Sequence, residues 1–143
     1  MIDSIIVGIV VGPLWAAISI GLAVAGLPGF FTRLLTYSMA TALYIGYFAF
    51  MESNKGQTVG KMLMKLEVRG PNGGNPTMEE AVKRNAYFGV LLIGIIPFVG
   101  WFLYPLAYLG AVIYLIVTIN NNDQTRQGWH DDFAGGTWVL KTA

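Results

Sequence analysis

The chain has 143 residues, of which 55% are hydrophobic and only 12% are charged, and its mean hydropathy is +0.56. Because soluble domains carry about 25% charged residues, this composition predicts a single-domain integral membrane protein. The net charge of +1 gives no reason to expect a nucleic-acid partner. The absence of cysteine excludes disulfides and thiolate metal sites, and His130 alone cannot form a histidine-rich metal site.

The first third of the chain contains two apolar runs of membrane-spanning length. A transmembrane helix needs roughly 20 mostly apolar residues, and we predict spans over 2–26 and 32–51. The turn signal Gly26-Leu-Pro-Gly29 separates them, and Pro13 is expected to kink the first. Because Asp3 stands where a secretory signal carries Lys or Arg, we interpret the first run as a retained helix.

A basic, glycine-rich segment over 53–75 follows the second span. Within it, Met62 to Val68 carries apolar residues beside charged ones, which is typical of a short amphipathic element at the level of the lipid headgroups. The stretch from Gly70 to Pro76 is rich in Gly, Asn and Pro and is predicted to turn. Two short strands around that turn are the alternative interpretation.

The second half of the chain predicts a helical hairpin. Thr77-Met-Glu-Glu80 has the spacing of a capping box, so a third span is predicted over 78–96. The apolar stretch over 86–119 is too long for one crossing at about 1.5 Å per residue, and Pro97-Phe-Val-Gly100 divides it. With a fourth span over 101–119, the predicted fold class is an all-α bundle of four transmembrane helices with a cytoplasmic loop between helices 2 and 3.

Basic residues orient this bundle. With four spans, eight of the nine Lys and Arg residues lie on one side and only Arg33 lies on the other. The eight are Lys55, Lys61, Lys65, Arg69, Lys83, Arg84, Arg126 and Lys141. The positive-inside rule places that side, both termini and the tail over 120–143 in the cytoplasm. We therefore expect a multi-pass protein of the plasma (inner) membrane, with the lipid bilayer as its first partner.

Small residues predict where the helices associate. In lipid, helices associate through close packing of small residues rather than through the hydrophobic effect. Gly8-Ile-Val-Val-Gly12 has the GxxxG spacing, so Gly8 and Gly12 are expected to lie in a helix–helix contact. That contact is either within the chain or with another subunit, in a homo-oligomer or a larger membrane complex.

The sequence shows no constellation for catalysis. His130 is the only ordinary general base, and no nucleophile is paired with it. The loop Gly56-Gln-Thr58-Val-Gly60-Lys61 lacks the spacing and the following Ser or Thr of a phosphate-binding loop. We interpret it as a loop that caps a short basic helix. No enzyme activity, no cofactor and no metal site are expected.

Two segments carry a family resemblance. The first is GQTVGKMLMKLEV over 56–68 and the second is RQGWHDDFAGGTWV over 126–139, with Lys83-Arg84-Asn85 between them. Together they resemble the RDD family of bacterial integral membrane proteins, and the resemblance covers nearly the whole chain. In that family a GQTxGK-type loop precedes the second half, and a later Arg-Gln-Gly-x-His-Asp segment is followed by a small-residue turn.

The resemblance implies a functional class and several motif positions. The family is named for one arginine and two aspartates, and Asp3 and Asp131 are similar to the two aspartates. The arginine would lie upstream of Met1, and Asp132 stands where the family more often has a basic or polar residue. Family members are suspected of transport, and cation–proton exchange has been proposed for some, so the resemblance implies a transport or transport-associated protein.

The residues themselves favour a structural role for Asp131, with ligand or ion binding as the alternative. A carboxylate at a packed helix end needs donors, and Arg84 is the best charged candidate, ahead of Lys61 and Lys65. The amides of the Ala134-Gly-Gly136 turn are the uncharged candidates. Because few polar residues lie at midplane depth, an accessory or structural subunit without transport of its own is the alternative function.

Overall fold

The computed structural model describes residues 2–122, 125 and 127–142. Asp123 and Arg126, which belong to the predicted helix end and to the second motif, lie outside the described residues. The elements in chain order are α1 (Ile2–Val24), α2 (Gly29–Lys55), α3 (Val59–Leu63), β1 (Leu66–Arg69), α4 (Met78–Arg84), a 3₁₀ helix (Ala86–Ile95), α5 (Val99–Asn121), α6 (Trp129–Phe133) and β2 (Trp138–Lys141).

The first two helices form an antiparallel pair. A short turn at Gly26, whose φ is +76°, connects them, as the sequence predicts. The buried core of the pair contains Val7 and Val11, one turn apart on α1, against Ala40 of α2. Helix α1 continues through Pro13. This packing brings the start of α1 next to the end of α2, where the site described below is built.

Three helices in the described residues are long and apolar enough to cross a membrane, namely α1, α2 and α5. The predicted third span is not one continuous helix, because it divides at Asn85 into α4 and the 3₁₀ helix. Ten residues of 3₁₀ helix rise only about 20 Å, against about 30 Å of hydrocarbon. The count of four crossings therefore stays a prediction.

The side chain of Asn85 explains the break. Its amide nitrogen donates to the Ala81 carbonyl oxygen at 2.9 Å and to Glu52 Oε2 at 3.1 Å. Such a side-chain bond to the preceding turn competes with continued α-helix. The start of α4 agrees with the sequence, because the backbone amide of Glu80 donates to Thr77 Oγ1 and the Thr77 amide donates to Glu80 Oε2, which is the predicted capping box.

The tail folds back onto the central loop through a small sheet. Strand β1 pairs antiparallel with β2, so that Val68 lies opposite Val139. The alternative prediction of two strands around the Gly70–Pro76 turn is therefore wrong about the partner strand: β1 pairs with the C-terminus, while the turn leads into α4. The predicted amphipathic element is the short helix α3 followed by β1. The sheet holds the tail near the end of the helical bundle.

Candidate functional site

Asp3 is held by three uncharged donors at the start of α1. Its Oδ1 accepts hydrogen bonds from the Gly60 amide at 2.7 Å and from the Tyr47 hydroxyl at 3.0 Å, and its Oδ2 accepts one from Thr58 Oγ1 at 2.7 Å. The side chain approaches α3 this closely because residue 60 is glycine: a Cβ there would lie 2.5 Å from Asp3 Oδ2. Asp3 is 7% exposed, so α3 encloses a carboxylate of α1.

Glu52, at the end of α2, is the most deeply buried charge of the site at 1% exposed. Its Oε1 pairs with Lys61 Nζ from α3, and its Oε2 accepts a hydrogen bond from Asn85 Nδ2 at 3.1 Å. Arg84 Nη1 lies 3.9 Å from Oε2, which is too long for a hydrogen bond. Glu52 therefore connects α2 to both α3 and α4.

Arg84 pairs with Asp131, as the sequence suggested. Arg84 Nε lies 3.0 Å from Asp131 Oδ1, which also accepts a hydrogen bond from Thr137 Oγ1 at 2.8 Å. Asp131 Oδ2 accepts from the Gly128 amide at 3.1 Å, and His130 Nε2 lies 3.6 Å from it. The amides of the Ala134–Gly136 turn do not reach the carboxylate; the Gly136 amide donates to the backbone oxygen of Asp131 instead.

These contacts form a continuous charged cluster, which contains Asp3, Glu52, Lys61, Arg84 and Asp131. Burial of an ion pair is costly unless hydrogen bonds satisfy its remaining groups. Glu52 and Asp131 each accept at least one hydrogen bond in addition to an ion pair, and Asp3 accepts hydrogen bonds from uncharged donors. With three carboxylates and two cations, the cluster has one excess negative charge.

Burial lowers the pKa of two groups beside the carboxylates. Burial lowers the pKa of Lys61, and the nearby Arg84 acts in the same direction, while Glu52 opposes both. Burial also lowers the pKa of His130 to about 4, although Asp131 acts to raise it. The imidazole is therefore neutral at physiological pH and adds no charge to the cluster.

A cavity of about 360 Å³ opens beside the charged cluster. Its polar wall is formed by Asp3, Glu52, Lys61 and Arg84, and its other wall includes Tyr87 and Leu115. Arg84 Nη1 is buried and has no hydrogen-bond partner in the described part of the chain. The site can therefore offer the free N–H donor of Arg84 and the carboxylate of Asp3 to a small polar group.

Comparison with protein-family models identifies the family of this chain. The RDD family model matches residues 1–135. The chain belongs to the RDD family. The matched range includes both aspartates that the sequence resemblance indicated, and it ends before β2. No curated protein and no solved structure matches the chain.

The structure of this RDD protein brings most of the sequence-predicted residues together. Thr58 caps α3 and accepts from the Lys61 amide at 3.4 Å, and Gly56 ends α2 with a φ of +66°. Gly60 and His130 lie in the cavity wall. The loop thus caps a short helix that carries Lys61, as predicted, and the same helix binds Asp3.

The two glycines of the GxxxG segment have different surroundings. A Cβ on Gly8 would lie 3.4 Å from the Tyr44 hydroxyl, so Gly8 faces α2. A Cβ on Gly12 would meet nothing within 4 Å in the described structure. Among the described residues, Gly8 therefore faces a neighbouring helix and Gly12 does not.

Glu52 is a member of the site that the sequence did not indicate as functional. It lies just past residue 51, where the second predicted span ends. A signal was present, because Phe48, Ala49 and Glu52 recur at helical spacing and are all buried on one face of α2. A carboxylate at helical spacing from a buried apolar face is expected to contact a buried partner rather than solvent.

Proposed function

We propose that this RDD protein is a plasma-membrane transport protein that exchanges cations for protons, that Asp3 is the carboxylate that binds them, and that the protein has no catalytic activity. The membrane character follows from its family and its apolar helices. The exchange itself is supported by the geometry around Asp3 and by the two cavities of the α1–α2 pair.

The observation that carries the proposal is the environment of Asp3. The carboxylate is buried in a cavity wall, and every hydrogen bond it accepts in the described residues comes from an uncharged donor. A buried carboxylate without a countercharge is costly, and a bound proton or cation relieves that cost. Asp3 lies in the first turn of α1, a helix long enough to cross a membrane, and ionisable residues on such helices are candidates for ion pathways and proton relays.

A second cavity supports movement along the α1–α2 pair. It has a volume of about 310 Å³ and is lined by residues that include Ser19 and Arg33, toward the opposite end of the pair. Sixteen residues of α-helix separate Asp3 from Ser19, which is about 24 Å. The buried core at Val7 and Val11 lies between the two cavities. Two cavities that each contain charged or polar side chains, on either side of a closed apolar core, are consistent with a carrier that opens to one side at a time.

Proteoliposomes that contain a pH-sensitive dye test the proposal. Wild-type protein should move protons when a Na⁺, K⁺ or Li⁺ gradient is applied, and Asp3→Asn should abolish that movement because the amide cannot take up and release a proton and has no negative charge to balance a cation. Asp132→Asn is the matched control, since Asp132 is an exposed carboxylate. Absence of exchange by the wild-type protein at acidic, neutral and alkaline pH would contradict the proposal.

The orientation that we propose has four crossings, with both termini and the central loop in the cytoplasm. The chain has no cysteine, so single cysteines at Asn72 and Val99 can be labelled in cells without a background. An impermeant maleimide applied from outside should label the cysteine at position 99 and spare the one at position 72. Labelling of both would exclude this topology.

The alternative function is an accessory subunit that packs against another membrane protein or a second copy. The open space beside Gly12 favours it, because a glycine at GxxxG spacing lets another helix approach closely. Gly12→Leu should then release the partner or dissociate the oligomer without changing the stability of the monomer. Gly8→Leu is the comparison variant, and it should destabilise the monomer, because its new side chain collides with Tyr44. A monomeric wild type without bound chains would exclude this alternative.

A further inference from the structure

The charged cavity continues into an apolar groove between α1 and α5. The groove has a volume of about 320 Å³ and shares Ser4, Tyr87 and Leu115 with the wall of the charged cavity. Its remaining walls are Ile5 of α1 and Tyr108, Ala111 and Val112 of α5. We infer that the cavity and the groove together bind an aminophospholipid such as phosphatidylethanolamine, with the headgroup in the cavity and one acyl chain in the groove.

The groove is accessible from the side of the bundle. Ile5 on one wall is 64% exposed and Tyr108 on the other is 37% exposed, and both lie on helices long enough to cross a membrane. From Tyr108 to Leu115 the groove follows α5 for about 10 Å. One leaflet of a bilayer has about 15 Å of hydrocarbon, so the groove holds the first part of one acyl chain and the rest extends into lipid.

The depth of the cavity suits a headgroup. Asp3 lies at the first turn of α1, and Leu115 lies near the end of α5. The charged cavity therefore lies at the ends of the two spanning helices, where the polar headgroups of a bilayer lie. A lipid that enters the groove from the bilayer reaches the cavity without moving its headgroup through hydrocarbon.

The charges of the cavity select the headgroup. Arg84 is 5% exposed, and its Nη1, which has no hydrogen-bond partner among the residues described, can donate to a phosphate oxygen. Asp3, which has only uncharged donors around it in the described structure, can accept from a primary ammonium. The cavity wall carries two carboxylates and two cations, and this balance suits a lipid without net charge. A trimethylammonium group has no N–H to donate, so a headgroup with a primary ammonium and a phosphate fits the cavity better than that of phosphatidylcholine or phosphatidylglycerol.

The inference does not depend on transport. A lipid ammonium at Asp3 competes with the cation or proton that we propose for the same carboxylate, so exchange should be measured in liposomes with and without phosphatidylethanolamine. Lipid binding without exchange would leave this inference intact and remove the transport proposal. Exchange without lipid selectivity would leave the transport proposal intact and remove this inference.

Native mass spectrometry of the detergent-solubilised protein tests the inference. Phosphatidylethanolamine, phosphatidylcholine and phosphatidylglycerol with identical acyl chains are titrated in turn. We expect phosphatidylethanolamine to bind about tenfold more tightly than the other two, the ratio that one hydrogen bond to a charged group supplies. Equal binding of the three lipids, or tighter binding of phosphatidylglycerol, would overturn the inference.

Two substitutions separate the chain and headgroup contacts. Ala111→Trp fills the groove and should abolish the tight binding, whereas Ile113→Trp on the same helix, at an exposed position outside the groove, should not. If Ala111→Trp lowers the melting temperature, Val112→Phe replaces it. Asp3→Asn should reduce binding of phosphatidylethanolamine to the level of phosphatidylcholine. Undiminished preference in a folded groove variant, or in Asp3→Asn, would overturn the inference.

Discussion

Asp131 connects the C-terminal tail of this RDD protein to the helical bundle, and its replacement by asparagine tests that connection. The carboxylate accepts hydrogen bonds from Thr137 Oγ1 and from the Gly128 amide and pairs with Arg84 Nε at 3.0 Å. Asparagine retains one acceptor oxygen and places an NH₂ group where the second oxygen was. That group cannot accept a hydrogen bond, so one donor loses its partner and Arg84 loses its closest countercharge.

The magnitude follows from the burial of the pair. Removal of one partner from a buried ion pair costs about 3–5 kcal/mol, because the surviving charge is left without compensation. Arg84 still has Glu52 at 3.9 Å, so we expect a loss near the lower end, about 3 kcal/mol. Asp132 is adjacent in sequence and exposed, and Asp132→Asn should change stability by less than about 0.5 kcal/mol.

Thermal unfolding in detergent and limited proteolysis measure the two consequences. Asp131→Asn should lower the unfolding temperature, and it should also speed cleavage near Gln127, because β2 is held to β1 next to the broken contact. Equal effects of the substitutions at Asp131 and Asp132 would show that the buried pair does not hold the tail. So would an Asp131→Asn protein with unchanged unfolding and cleavage.

Two further predictions concern pH and packing. In the folded protein, burial lowers the pKa of His130 to about 4, although Asp131 acts to raise it; in the unfolded chain the pKa is about 6.5. The unfolded chain therefore binds the proton more tightly. The contribution of His130 to stability is full above about pH 6.5, and the free energy of unfolding falls by up to about 3 kcal/mol toward pH 4. Unfolding temperatures across that range should show a smaller loss in His130→Gln, and identical profiles would contradict the assignment. Gly60→Ala should lower the free energy of unfolding by about 1–3 kcal/mol through overpacking, because the new Cβ would lie 2.5 Å from Asp3 Oδ2. Gly74→Ala is the control and should be near neutral in the same unfolding assay, because its Cβ meets nothing within 4 Å in the described structure.

The long helices of this protein could be predicted from the sequence, and the interrupted one could not. Hydropathy over roughly 20 residues identifies α1, α2 and α5 because a bilayer requires that length. The same criterion predicts α4 and the 3₁₀ helix as one span, because hydropathy contains no information about side-chain hydrogen bonds. Asn85 breaks the helix because its amide bonds both to its own helix and to Glu52 of α2, which is a tertiary contact that no local pattern contains.

The candidate site was predictable where a motif named its residues. Asp3, Arg84 and Asp131 were found through the family resemblance, and the Arg84–Asp131 pair followed from their shared depth. The partner of Asp3 did not follow, because neither spacing nor charge indicates that the Gly60 amide approaches from α3. The pairing of β1 with β2 was missed for a similar reason: it joins segments that are about 70 residues apart, and only the folded tail brings them together.

The arrangement of charges couples the cavity to the tail. Helix α3 binds Asp3 through Thr58 and Gly60 and carries Lys61, which pairs with Glu52. Because α3 has only five residues, we expect a ligand that displaces Asp3 from its amide and hydroxyl donors to shift Lys61 as well. Glu52 and Asp131 then share Arg84 between them in a buried environment, where a change in one ion pair alters the field at the next. We therefore expect occupancy of the cavity to alter the attachment of the C-terminal tail through these buried charges, so that a ligand at Asp3 changes the rate of proteolysis of the tail.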